Sequence, residues 1–382
     1  MVTIIIRNGM VHDAVKETPY LADLALRDGK IAAIGKDLTP LAGEEVFDAS
    51  GLQVYPGLVE SHSHVGCNPY GLDPNSNDIN EKGAIGAEYN AIDSFNPQNT
   101  KLRDALCGGV TTICTGPGSG NVIDGTAIAV KTYGSSIDEM LVKSPVAMKC
   151  AFGQNPKNTA KKPVTTRMGV AAVLRQALYD TRDYMMRKEA AGDDVLKKPK
   201  YDPKLEALIP VLKREIPLKA HCHRADDICT AIRIAKEFDL RMTLEHATDG
   251  IAVVKEIARS GFPCIVGPSL THASKVELAH KSTETAGVLH RAGVKVSITT
   301  DAAVTHQELL ALAAGQCVKA GMDPFAALQA ITINAAEHIG IAHRVGSLEV
   351  GKDADVVITD GDILLNTTKV KCVFVYGKKV VG

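Results

Sequence analysis

No uninterrupted apolar stretch in these 382 residues approaches the ~20 residues needed to span a bilayer. The opening "MVTIIIRNGMVHD" lacks the basic region, long apolar segment and small-residue cleavage site of a secretory leader, and reads as a strand and turn. Charge imbalance is lacking too. Against 44 Asp and Glu stand 43 Lys and Arg, a net of −1, so bulk electrostatics offers no attraction to nucleic acid or an anionic membrane. The nine cysteines include no CxxC pair, and an odd number cannot all pair within the chain. Reduced thiols in a cytoplasmic protein are the expectation. The nucleotide fingerprint GxGxxG is missing. The glycine-rich "GPGSGN" from Gly116 follows "TTICT" without that spacing, and reads as a strand-to-helix turn, not a phosphate cradle.

What is present is ordinary globular composition, 45% hydrophobic and 23% charged. The length suits one large domain with an appendage, or two of conventional size. The lysine runs "NPKNTAKKP" and "LKKPKY" read as solvated loop faces. Short apolar runs broken by turn signals such as "RDGK" occupy the N-terminal segment, and "GSLEVGKDADVVITDGDIL" and "VKCVFVYGKKVVG" repeat that pattern at the C-terminal end. Strands at both ends around an alternating middle imply an α/β domain carrying a small β domain built from both termini, with residues 1–56 and 345–382 in the latter and 57–344 in the former.

Eight candidate strands fall in the middle: "LVESHSH", "GVTTIC", "GTAIAVKT", "VAMKCAF", "LKAHCH", "RMTLEHA", "PCIVG" and "VKVSITTD". Helical segments such as "DDICTAIRIAKEF", "GIAVVKEIARS" and "TETAGVLHRAG" lie between most of them, the pattern of a (β/α)8 TIM barrel. One connection is too long for a simple barrel. Around residues 155–205 the stretch "TTRMGVAAVLRQALYDTRDYMMRKEAAG" begins with threonine, repeats Val170, Leu174 and Leu178 at helical spacing and closes at Gly192. It is expected as a helical insertion where barrels place lids and specificity elements.

Residues two apart on a strand share a face, so His62 and His64 point together, and His221 and His223 repeat the arrangement. His246 follows "RMTLE" and Asp301 follows "VKVSITT". Each lies at the C-terminal end of its own strand, where barrel enzymes assemble their sites. Imidazole and carboxylate suit a borderline divalent metal such as zinc. Lys149, at the end of "VAMK", is costly inside a barrel unless paired or neutralised. Either carbon dioxide carbamylates it into a carboxylate-like bridging ligand, or it snorkels to solvent or binds an anionic substrate. Cys67, Cys150 and Cys222 read as packing, with Cys222 facing away from its flanking histidines.

Over nearly its whole length the chain resembles the amidohydrolase superfamily of metal-dependent hydrolases, in its imidazolonepropionase-like and dipeptidase-like branch. The resemblance rests on "PGLVESHSH", "GGVTTI", "AHCHRADD", "LEHATDG", "TTDAAVT" and the tail "ITINAAEHIGIAHRVGSLEVGKDADVVI". It implies a barrel with a small β-sandwich formed by both chain ends. It assigns His62, His64 and Asp301 to one metal and His221 and His246 to a second, with Lys149 as carbamylated bridge and Asp301 as proton shuttle.

Two positions depart from the pattern. Glu60 stands where many members have aspartate before the HxH. Deaminase branches carry a glutamate shortly after the fifth-strand histidine, where this chain has His221–Cys222–His223–Arg224. The implied reaction is hydrolysis of an amide-like C–N bond in a cyclic amide, N-acyl amino acid or dipeptide. Bound water is ionised near pH ~7 and Asp301 carries its proton to the leaving nitrogen. His223, Arg224 and His272 are the candidate substrate contacts, His272 either a plain loop residue or an oxyanion contact. The alternatives are a mononuclear deaminase-type hydrolase of a nitrogen heterocycle, without a carbamylated Lys149, and a catalytically inactive binding barrel. A small-molecule substrate is the expected partner, and homo-oligomerisation is implied only by the resemblance.

Overall fold

The computed structural model describes residues 3–68, 78–81, 83–158 and 164–382. Part of the first lysine run, residues 159–163, lies outside the described residues. The N-terminal end supplies β1 (Thr3–Val11), β2 (Tyr20–Arg27), β3 (Lys30–Gly35), β4 (Glu45–Asp48) and β5 (Gln53–Pro56). The middle supplies β6 (Leu58–Ser63), β7 (Val110–Thr115), β8 (Ile123–Lys131), β9 (Leu141–Ala151), β10 (Leu218–Cys222), β11 (Met242–His246), β12 (Cys264–Val266) and β13 (Val296–Ile298). The C-terminal end returns with β14 (Val356–Thr359), β15 (Val370–Val375) and β16 (Lys378–Val381).

Strands from both ends form one eight-stranded sheet, in the order β16-β15-β14-β5-β1-β2-β3 with β4 alongside β1. The "RDGK" signal is its first hairpin. Asp28 and Gly29, at φ 50° and 76°, turn β2 into β3, the conformation a two-residue primed turn demands. This β-sandwich has its own core, with Ile4, Ile6, Leu24, Leu26, Val54, Val356, Ile358 and Phe374 packed together.

The second eight-stranded sheet runs from β6 to β13 in sequence order and curls into a nearly closed barrel. Its two ends meet where His64 N donates to Ala302 O at 2.7 Å and Thr299 Oγ1 donates to His62 O at 2.8 Å. One strand departs from strict (β/α)8 topology: β8 runs antiparallel to both β7 and β9. Parallel neighbours need a crossover of a dozen or more residues, and residues 116–122 are too few and carry no helix. "GPGSGN" is therefore a strand-to-strand loop, correcting the strand-to-helix reading. The helix Ile333–His338 and the residues after it pack Ala335, Ala336, Ile339, Ile341 and Val345 against Val59, Cys114, Ala127, Ala129, Val146 and Ala147 of β6 to β9.

In the long connection a 25-residue helix spans Arg167–Ala191. Thr166 Oγ1 accepts from Gly169 N at 3.0 Å to start it, and Gly192 at φ 52° ends it. Val170, Leu174 and Leu178 are buried, as their spacing predicts. Its position corrects the expectation of a lid. The helix packs beside the helices Pro203–Leu212 and Ala225–Glu237 in the outer layer, where Arg175 and Tyr179 both bond Glu237. Among the described residues no helix is long and apolar enough to cross a membrane, and all nine cysteines are unpaired.

Candidate metal centre

Strand alternation puts Glu60, His62 and His64 on one face, and Lys219, His221 and His223 on one face of β10 and its extension. The ends of β6 and β10 and the residues after β13 line a cavity of about 500 Å³ through His62, His64, His221, His223 and Asp301, and His246 at the end of β11 packs against these rings. Ring centroids of His246 lie 5.0 Å from His62, 4.5 Å from His221 and 4.7 Å from His223.

The donors are oriented before any ligand arrives. A carbonyl oxygen only accepts, so His64 Nδ1 donates to Gly116 O at 2.8 Å and His246 Nδ1 to Gly267 O at 2.7 Å. His62 Nδ1 donates to Glu245 Oε2 at 2.6 Å. In all three the lone pair is left on Nε2, and those of His62 and His64 both lie 3.5 Å from Asp301 Oδ1. His223 Nδ1 meets Thr248 Oγ1 at 2.8 Å. Burial lowers the pKa of His62, His221 and His223 well below the ordinary imidazole value, and that of His246 to about 4. Neutral imidazoles are the form that binds metal. Two sets of donors each bring their ligand atoms within 4.8 Å of one another: His62, His246 and Asp301, and His221, His223 and His246. His246 thus belongs to both, and His223 belongs to the second while also lining the cavity. The residues present fit a divalent metal.

Lys149 Nζ lies 3.2 Å from His62 Nε2, buried in the barrel, and burial lowers its pKa. Burial would push the Asp301 carboxyl up, but its close contacts with His64, His246 and His62 hold it below the usual range. His246, Ala247 and Asp301 adopt left-handed backbone at φ 71°, 44° and 48°. Such strain persists where the surroundings over-determine it. Here Ala247 N is tied to Cys222 O at 3.1 Å, and Asp301 N to Thr299 Oγ1 at 2.9 Å.

Two glutamates fix this shell. Glu60 accepts from His62 N at 3.0 Å, Thr300 N at 2.9 Å, Thr300 Oγ1 at 2.7 Å and Gln307 Nε2 at 2.9 Å. It therefore clamps the HxH strand to the loop bearing Asp301. Glu245 accepts from His62 and, at 2.8 Å, from buried Lys219. Sequence reasoning missed Glu245 and Lys219. Alternation sets Glu245 opposite His246, and only the left-handed turn at His246 swings that ring back to the site.

Two expected substrate contacts are placed elsewhere. Arg224 caps the helix Ala225–Glu237 and its guanidinium turns along it to Asp226, at 2.9 and 3.0 Å, outside the cavity. His272 is exposed and does not line the cavity either. Asn155, Lys275 and Lys281 do line it. Asn155 is the one contribution from 155–205 among the described residues.

Comparison with known proteins agrees with this architecture. The sequence model of the amidohydrolase family matches residues 53–380. A crystal structure of an amidohydrolase from Thermotoga maritima MSB8 superposes with a TM-score of 0.94 at 34% identity, covering 99% of both chains. An amidohydrolase of Hapsidospora irregularis is 27% identical over 376 residues, 90% of this chain and 38% of that protein. Adenine deaminase 1 of Desulfotalea psychrophila is 25% identical over 387 residues, 98% of this chain and 57% of that protein. The chain spans less than two thirds of the length of either curated relative.

Proposed function

The chain belongs to the amidohydrolase family, and on that premise we propose that it is a metal-dependent hydrolase of an amide-like C–N bond in a cyclic amide, N-acyl amino acid or dipeptide. The observation that carries this reading is the set of Nε2 lone pairs fixed by Nδ1 donation around Asp301. His62, His64, His221, His246 and Asp301 would hold the metal, zinc being the natural choice for an imidazole-rich set. His223 is within reach of the same cluster. When bound, a divalent ion supplies ionisation of water near pH ~7 and polarisation of the scissile carbonyl.

The chain's own groups do the rest. Asp301 takes the proton of the attacking water at a carboxylate oxygen and passes it to the departing nitrogen, otherwise too poor a leaving group. Its strained backbone and its contacts with His62 and His64 keep that oxygen in one place. Lys149, with its pKa lowered by burial, offers the neutral amine that reacts with carbon dioxide, losing a proton and leaving a carbamate beside His62.

The test is metal analysis of the purified protein combined with hydrolysis assays on N-acyl amino acids, dipeptides and cyclic amides. Lys149→Ala is expected to lose one of two metals and most activity. Two metals and full activity in that variant would remove the carbamate bridge from the mechanism. A protein that binds no divalent metal and cleaves none of the three classes would overturn the reading altogether.

A further inference from the structure

The segment between β12 and the helix Glu284–Arg291 brings two lysines to the cavity, and their surroundings differ. Lys275 Nζ lies 2.7 Å from Oε1 of buried Glu277 and donates to Asn155 Oδ1 at 2.8 Å. Its charge is matched within the protein. Lys281 Nζ donates to the neutral hydroxyl of Thr271 at 2.8 Å, and among the described residues it makes no ion pair with a carboxylate. It is half-buried. Burial pushes its pKa down, with the Asp301 carboxylate opposing that shift and the Lys275 charge adding to it.

A partly desolvated ammonium without a counter-ion is unfavourable. A ligand that supplies the missing anion removes the penalty and gains a charge-assisted hydrogen bond. Of the other polar lining, Ser274 and Asn155 are neutral, Lys275 is matched by Glu277, and the Asp301 carboxylate belongs to the histidine cluster. The cavity volume of about 500 Å³ suits a small molecule.

We infer that Lys281 anchors a free carboxylate of the substrate, so that the site takes N-acyl amino acids or dipeptides in preference to neutral cyclic amides. The inference rests on the amide-hydrolase reading above and narrows it to a substrate class. Lys281 is assigned to binding and specificity, and takes no part in bond breaking.

The experiment compares a panel of N-acetyl-L-amino acids with the matching N-acetyl-L-amino-acid amides, using metal-replete protein. The wild type is expected to prefer the acids. Lys281→Met should raise KM for the acids roughly ten- to hundredfold, with a much smaller change in kcat, and erase the acid-over-amide preference. Lys281→Arg should retain most of that preference, and Lys275→Met should change KM for the acids less than Lys281→Met does. If the wild type cleaves acids and amides equally, or Lys281→Met keeps the preference, the anchor is wrong while amide hydrolysis stands. If nothing in the panel is cleaved, amide hydrolysis of this class falls, and calorimetric binding of the acids decides on the anchor. Binding weakened in Lys281→Met supports it, and no binding, or binding equal in both proteins, overturns it.

Discussion

Glu245→Gln tests the frame beneath the metal centre. The side chain is fully buried, and one carboxylate oxygen accepts from both His62 Nδ1 at 2.6 Å and Lys219 Nζ at 2.8 Å. Glutamine keeps the volume but removes the charge. Lys219, itself buried, is then left with neutral acceptors alone, Ser61 O at 2.9 Å and the amide oxygen. Stranding one member of a buried ion pair costs about 3–5 kcal/mol, a large part of the ~5–15 kcal/mol that holds a typical domain. Glu245→Gln in the metal-free protein should lose that much in urea unfolding. Circular dichroism is the natural probe, because the chain has no tryptophan. Removing the stranded charge as well, in Glu245→Gln/Lys219→Met, should recover most of the loss, since no buried charge is then left uncompensated. Metal affinity should fall roughly 10–100-fold in both variants, because a neutral amide replaces the carboxylate that orients His62 and raises its basicity. A single variant within about 0.5 kcal/mol of wild type, or a double variant no better than the single, would refute the ion-pair argument.

Other perturbations probe neighbouring parts of the fold. Glu60→Gln replaces an acceptor of four hydrogen bonds with a group that must also donate; a stability loss of about 2–3 kcal/mol and weaker metal binding are expected in denaturant and metal titrations, and an unchanged midpoint would show that the clamp is not needed. His338 is buried against Ser297 Oγ at 2.9 Å, with Glu245, Lys219 and Lys295 as its charged neighbours, and burial lowers its pKa to about 3. Its folded pKa is below the unfolded value of ~6.5, so the unfolded chain binds the extra proton. The contribution is therefore fully present above pH ~6.5 and falls by about 1.4 kcal/mol per pH unit down to pH ~3. Comparing wild type with His338→Gln across pH 4.5–7 should show the variant lacking this slope, and parallel curves would rule it out.

Much of this was legible in the chain because barrels expose strand ends. His62, His64, His221, His246 and Asp301 each follow an apolar run, and period-two alternation suffices to aim most of them. Glu245 escaped because alternation hides it behind His246, and a positive φ is not written in the sequence. Lys281 and Asn155 lie in loops, where no periodicity relates a residue to the cavity. Arg224 misled for the opposite reason. It directly follows a ligand-bearing strand, yet as a helix cap it finds Asp226 two residues on. The antiparallel β8 has the composition of any buried strand, so its direction is carried by the length of the seven-residue loop before it. Thr166, Gly192 and the buried leucine spacing marked the long helix correctly, but amphipathic spacing does not say which surface the apolar face meets.

The sheet shared by the two chain ends has a consequence for how the molecule is made. β5 pairs with β1 on one side and with β14 on the other, and β14 begins some three hundred residues later, at Val356. During synthesis the first five strands therefore wait with one edge of β5 uncovered while the whole barrel is produced. An open strand edge invites pairing with another chain. That hazard ends once Val356–Thr359 has been made and β14 takes its place. β14 acts as a latch on a half-built sheet, and the nascent chain is most exposed to misassembly just before that strand arrives.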